Sequence, residues 1–184
     1  TAALAVRKTI FDQIGGFDED YLIYGEDTDF CWRIWLAGGK IVYFPGTSVE
    51  HFQKSSLSQK TNFRVFYEGA KTGPANILKN APLGMILWLL PLNLLSWLLV
   101  SFKLLLQGRI SSSFWVFRGL WWNFRNLSRT WRKRKIVGSY SRKLPLRTVF
   151  GPLNLIQLLK KGVRWLIAVG APPEGSQPES RQAH

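Results

Sequence analysis

Apolar residues recur along this chain with two different periods, and the changes of period mark out its elements. Residues 2–6 form a short apolar run that predicts a buried strand. Ile10, Phe11 and Ile14 then recur at helical spacing, with Thr9 and Asp12 placed like an approximate capping box and Gly15-Gly16 as a stop. Phe17-Asp18-Glu19-Asp20-Tyr21 is an acidic, aromatic loop. Phe30, Cys31, Ile34 and Trp35 restore the helical period until Gly38-Gly39 ends it. Residues 40–44 are β-branched and aromatic and predict a strand closed by Pro45-Gly46, and residues 47–51 predict a second short one. A Ser-rich loop at 54–59 precedes a helix over 61–79, carried by Phe63, Phe66, Tyr67 and Ala70, which Gly73-Pro74 should break or kink.

From 81 to 102 the pattern changes again, because no charged residue occurs there. The stretch is long enough to cross a bilayer core of ~30 Å. Pro91 removes a backbone hydrogen bond in its middle and Asn93 adds a polar group, so a bend into two half-helices, 83–90 and 92–106, is expected. Each is too short to cross, which predicts a re-entrant or in-plane hairpin. The rival is a two-pass arrangement with part of 111–124 as the return crossing, against which Arg118 and the brevity of that segment argue. Residues 111–135 are dense in Trp, Phe and Arg and predict an aromatic-basic helix lying along anionic headgroups. Residues 150–169 are another apolar-basic helix candidate, and the Pro-, Gly-, Ser- and Glu-rich tail from 171 is expected to be disordered.

Charge divides the chain at about residue 80. Residues 1–80 hold nine Lys/Arg and nine Asp/Glu, whereas 81–184 hold sixteen basic residues against Glu174 and Glu179 alone, which accounts for the formal +14. A basic second part calls for anionic partners. Its position beside an uncharged apolar stretch, with Trp and Arg as interfacial anchors, favours anionic membrane lipids over nucleic acid. The basic flank that follows 81–102, residues 109–147, is expected at the cytoplasmic face, since Lys/Arg-rich flanks are retained there. Cys31 is the only cysteine, which excludes an intrachain disulfide and a thiolate metal cluster. The strand-like start without an initiating Met reads as the inside of a domain.

The candidate chemistry gathers in Tyr24-Gly25-Glu26-Asp27-Thr28-Asp29-Phe30-Cys31-Trp32-Arg33. The helical period places Glu26 and Asp27 at the start of a short helix, where unpaired N–H groups and the positive end of the helix dipole keep a carboxylate ionised. Such a group, held at the edge of a cleft, can act as general base toward a hydroxyl. Ordinary capping explains the same acids. Asp29 and Arg33 read as an ordinary i,i+4 ion pair worth about 0.3–0.5 kcal/mol.

The ordered set of fragments across residues 5–56 resembles a known pattern. An arginine-led helix, Gly-Gly-Phe-Asp-Glu, an aromatic loop, Glu-Asp-x-Asp, a Gly-containing turn, a strand ending in Pro, and a His before a Ser-containing loop occur in that order. This is similar to the C-terminal half of the catalytic domain in glycosyltransferase family 2, and within it to the bacterial rhamnosyltransferase-like enzymes. The resemblance implies an α/β fold, the C-terminal portion of a GT-A-type (Rossmann-like) domain over 1–80. It would be followed by an α-helical membrane-associated region: a hydrophobic segment (81–106), a basic aromatic helical region (107–170) and the tail (171–184).

It implies inverting transfer from a nucleotide-sugar donor to a glycan or lipid-linked acceptor in cell-surface polysaccharide biosynthesis. Asp27 would be the general base with Glu26 beside it, and Tyr24, Asp29, Trp32 and Arg33 would lie toward the acceptor. His51 would be a ligand of a divalent metal, Mg or Mn, on the donor diphosphate. The nucleotide-binding half with its Asp-x-Asp motif is expected upstream. The alternative is a non-catalytic membrane-binding or nucleic-acid-binding module retaining part of the scaffold. The expected location is the cytoplasmic face of the inner membrane.

Overall fold

The computed structural model describes residues 3–46, 48–50 and 62–141. The expectations for His51, the loop at 54–59, the helix at 150–169 and the tail lie outside these residues. The described elements are helices: α1 (Lys8–Ile14), α2 (Glu26–Leu36), α3 (Asn62–Asn80), α4 (Leu83–Leu106), α5 (Ile110–Arg125) and α6 (Leu127–Tyr140).

The two glycine stops act as expected. Gly15 caps α1 at φ 78°, and Gly38 follows α2 at φ 84°. The capping box at Thr9 is not formed: α1 begins at Lys8 with Arg7 as its cap and no side-chain cap bond. Asp12 instead accepts from the Lys8 ammonium at 2.9 Å, the ion pair of a helix that starts earlier than the box requires.

The strands are not confirmed. No strand occurs among the described residues, so the α/β class rests on sequence resemblance alone. Leu4, Val6, Ile41, Val42, Tyr43 and Phe44 are exposed rather than packed. A strand needs a ladder partner, and these segments have none among the described residues.

The second correction concerns the prolines. α3 continues through Pro74, and α4 runs unbroken through Pro91 for 24 residues, so the two half-helices do not exist. A proline removes one backbone bond, whereas ending a helix frees about four N–H and four C=O groups. In an apolar run with nothing else to bond them, continuity is the cheaper outcome.

α3 is the central element. It packs against α2, α4, α5 and α6, and both polar and apolar side chains along it are buried. Small residues allow the close approaches. A Cβ on Gly69 would meet the Trp97 ring, one on Gly73 would meet the Asn93 amide, and one on Gly119 would strike the carbonyl of Tyr67 and the Ala70 methyl. These contacts run α4 antiparallel and α5 parallel to α3. The turn at Gly108 (φ 71°) folds α5 back on α4, where the hydroxyls of Ser101 and Ser113 bond at 2.6 Å. Asn123 donates to the Ala70 carbonyl, and Arg134 of α6 to those of Leu78 and Ala81. The charge boundary near residue 80 is therefore not a packing boundary.

Candidate functional site

The Glu26-Asp27 motif stands on a turn that few sequences can make. Tyr24 has φ 60° and Gly25 φ 92°, two successive left-handed residues that reverse the chain into α2. Gly25 is required twice over, since an added Cβ would also lie 2.8 Å from the Thr72 hydroxyl. Its carbonyl accepts from Asn76 Nδ2 at 3.1 Å, and from the amide of Asp29 in the first turn of α2. The helix start is thus pinned to α3.

Glu26 and Asp27 are the first two residues of α2 and both are half-buried, as the helical period implied. The Asp27 carboxylate accepts from the Thr28 amide at 2.7 Å. One oxygen of Glu26, Oε2, is buried without a hydrogen-bond partner among the described residues. Cys31, one turn along, has its thiol pKa raised by burial and then by the Asp27 charge.

Asp29 and Arg33 face the other way, into the protein. Asp29 is fully buried. Its Oδ2 accepts from Arg33 Nε at 2.8 Å, and its Oδ1 takes Lys79 Nζ at 2.7 Å and Asn80 Nδ2 at 2.8 Å. The Arg33 guanidinium also donates to the Ile14 carbonyl at 2.9 Å, tying α2 to the end of α1. Both oxygens of Asp29 are thus engaged inside the protein, and its pair with Arg33 is a buried one rather than an ordinary i,i+4 pair. Trp32 packs beside the core of Ile77, Ala81 and Met85. Tyr24 is exposed at the turn.

The acidic loop completes this hub. Asp18 is paired with Lys79 and with Lys133 of α6, and Asp20 with Lys133 and Arg129. Burial alone would raise the Asp18 pKa. The Lys79 charge, with hydrogen bonds from Lys133, Lys79 and the Asp20 amide, outweighs it and holds the carboxyl well below its usual range. Tyr21 lies under the Lys79 ammonium, 4.7 Å from its ring centroid. Burial, with the Asp29, Asp18 and Asp20 charges, pushes its hydroxyl far above the ordinary range.

A cleft of about 340 Å³ opens beside this hub, between the end of α1, the acidic loop and α6, and Arg33, Lys79 and Lys133 form part of its wall. Of the proposed site residues Arg33 lines this cleft, and Glu26 and Asp27 do not. Among the described residues no group of three or more His, Cys, Asp or Glu side chains is arranged to hold a metal ion, and His51 lies outside them.

Sequence reasoning misses Asn76, Lys79, Asn80 and Lys133, which hold the motif in place. The signal is present in α3, where polar residues interrupt an apolar period at Lys71, Asn76 and Lys79-Asn80. Buried polar residues on an otherwise apolar helix announce partners elsewhere.

Comparison with known proteins agrees with the motif. A family model described as the N-terminal domain of galactosyltransferase matches residues 1–55. The N-acetylglucosaminyl-diphospho-decaprenol L-rhamnosyltransferase of Mycobacterium tuberculosis (strain CDC 1551 / Oshkosh) is 44% identical over 58 residues, covering 32% of this chain and 19% of that protein. The pre-mycofactocin glycosyltransferase of the same organism is 36% identical over 70 residues, 38% of this chain and 15% of the relative. Rhamnosyltransferase WbbL of Escherichia coli (strain K12) is 39% identical over 49 residues, 27% of this chain and 19% of the relative. The chain thus spans less than a fifth of the length of these relatives. No solved structure matches. Residues 1–55, with the Glu26-Asp27 turn inside them, are similar to a segment of glycosyltransferases, rhamnosyltransferases among them.

Proposed function

We propose that this chain is the acceptor-side part of an inverting glycosyltransferase. It moves a sugar from a nucleotide-sugar to a glycan or lipid-linked acceptor, at the cytoplasmic face of the cell membrane, in the assembly of a cell-surface polysaccharide. The observation that carries this reading is the Glu26-Asp27 turn: a half-buried acid pair at a helix N-terminus, locked to α3 by Asn76, within the stretch matched by the galactosyltransferase model. A lipid-linked acceptor agrees with the diphospho-decaprenol named in one relative and with the apolar α4 beside the motif.

The chemistry asks little of the chain besides position. The acceptor hydroxyl attacks the anomeric carbon from the face opposite the nucleoside diphosphate. As the new C–O bond forms and the bond to the diphosphate breaks, Asp27 takes the hydroxyl proton. Glu26 adds a second carboxylate at the same turn. Asp29, Arg33, Lys79 and Asn80 act behind the site by fixing α2.

The test is sugar transfer by the protein carrying this segment, compared with Asp27→Asn. The substitution should lower turnover by ~10²-fold or more with unchanged helix content. Near-normal turnover would remove Asp27 from the mechanism. The rival, a non-catalytic membrane-binding module, draws on the cleft that leaves Asp27 out. It is favoured if the unaltered protein binds membranes but transfers no sugar.

A further inference from the structure

The outer surface of α4 is bare and apolar. Its inner stripe, through Met85, Trp97, Val100 and Leu104, is buried. The opposite stripe, through Leu87, Leu92, Leu95, Leu98, Phe102 and Leu106, is exposed along the whole helix. Only 17% of the most apolar window of α4 is buried inside the protein, which separates it from the core helix of a water-soluble bundle. α5 adds Phe114, Phe117, Trp121 and Phe124 on its own exposed side. Such an area demands a partner.

Charge identifies the partner. Residues 81–141 contain no acidic residue at all, while Arg118, Arg125, Arg132 and Lys135 are exposed on α5 and α6. Exposed Arg118 stacks on Trp115 at 4.8 Å, a pairing suited to an interface where ring and cation meet headgroups. An apolar stripe flanked by cations alone is the complement of an anionic phospholipid surface.

The packing decides orientation. α4 is apolar and long enough to cross a membrane, about 36 Å at 1.5 Å per residue. It is not free to do so alone, because α3 lies along it from the turn at Ala81 to Trp97. α3 carries the buried Glu68–Lys71 pair and, at its end, the Lys79 hub. Crossing would carry these polar groups into the bilayer. It would also place cations at both ends on opposite sides: Arg64, Lys103 and Arg109 near the Gly108 turn, and Arg129, Arg132 and Lys135 on α6. Cationic flanks are retained on one side.

We propose that the α4–α5 hairpin lies in the plane of an anionic bilayer. Its outer stripe sits in the acyl layer of one leaflet and its basic ends sit in the headgroups. α3 rides above as the girder that carries the Glu26-Asp27 turn. The inference rests on the bundle and its surface, and holds whether or not the turn transfers sugar.

The experiment uses the full chain diluted from detergent into preformed vesicles, of phosphatidylcholine alone or with phosphatidylglycerol. Binding should need the anionic lipid. Leu87→Glu/Leu98→Glu should weaken it by about tenfold or more, and so should Arg132→Glu/Lys135→Glu, each with unchanged helix content by circular dichroism. In a Cys31→Ser background, a single cysteine at Gln107 should react fully with an impermeant maleimide added outside. Equal binding to neutral vesicles, or either variant binding as tightly as the parent, would overturn the lipid surface. Protection of position 107 from outside, with reaction to reagent trapped inside, would overturn the in-plane arrangement and establish a crossing.

Discussion

Replacing Asp29 by alanine should be among the most destabilising single changes in the chain, and the reason lies in what remains. The substitution strips a charged partner from Arg33 and Lys79, which are almost as buried as the aspartate itself, and leaves Asn80 without its acceptor. Removing one member of a buried ion pair costs about 3–5 kcal/mol, here because Arg33 is left buried without its counter-charge, while Lys79 keeps Asp18. For a chain of this size that is a fall in Tm of roughly 6–20 °C. The internal control is Asp12→Ala. Lys8–Asp12 has the same i,i+4 spacing and a nearly equal distance, 2.9 Å against 2.8 Å, but its side chains are 84% and 56% exposed. That pair is worth no more than about 0.5 kcal/mol. The assay is thermal unfolding by far-ultraviolet circular dichroism on vesicle-bound protein. Exchanging Asp29 for Leu together with Arg33→Met and Lys79→Met should recover part of the loss, since removing the set leaves fewer buried charges unpaired. If Asp29→Ala shifts the melt no further than Asp12→Ala, the hub is not buried in the working protein and the reasoning fails.

Acid should unfold the chain through the same hub. The Asp18 carboxyl is depressed in the fold relative to its ordinary 3.8, so its ion pairs stabilise the protein above that value. Their contribution declines as pH falls from about 4 toward the depressed folded value. Asp18→Asn should lower stability at pH 7 and flatten the acid limb of a stability-against-pH curve; an unchanged limb would assign acid unfolding to other carboxylates. Gly119→Ala should cost about 1–3 kcal/mol by pushing α5 off the α3 backbone, and a urea midpoint equal to the parent's would mean that the crossing is looser than described.

What the sequence reveals follows from range. Where neighbours along the chain decide the outcome, the pattern is legible: Gly15, Gly38 and the start of α2 obey local rules of capping and backbone conformation. The exposed apolar stripe of α4 is visible as an uncharged run, although Pro91 weighs too heavily when a single lost hydrogen bond is set against no alternative. Asp29 misleads for the opposite reason. Its partner Arg33 is four residues away and readable, but Lys79 and Asn80 are about fifty residues away and convert a surface pair into a buried one. The residues expected as strands fall in the same class, since a ladder is a property of two segments and a local pattern shows only one of each.

The position of α3 bears on any attempt to trim this molecule. The fall in acidic residues after Glu68 invites a cut near Asn80, to separate a charge-balanced N-terminal piece from an apolar, basic remainder. That cut would uncover the groove into which Gly119 fits, strip the cations of α6 from Asp18 and Asp20, and leave Lys71 without the Trp122 ring 5.4 Å above it. The shortened product would present an exposed, half-charged helix to water and fold poorly, and its inactivity would be mistaken for a property of the motif. Here the apolar helices are the other half of the interior of the N-terminal part, and the two have to be purified together.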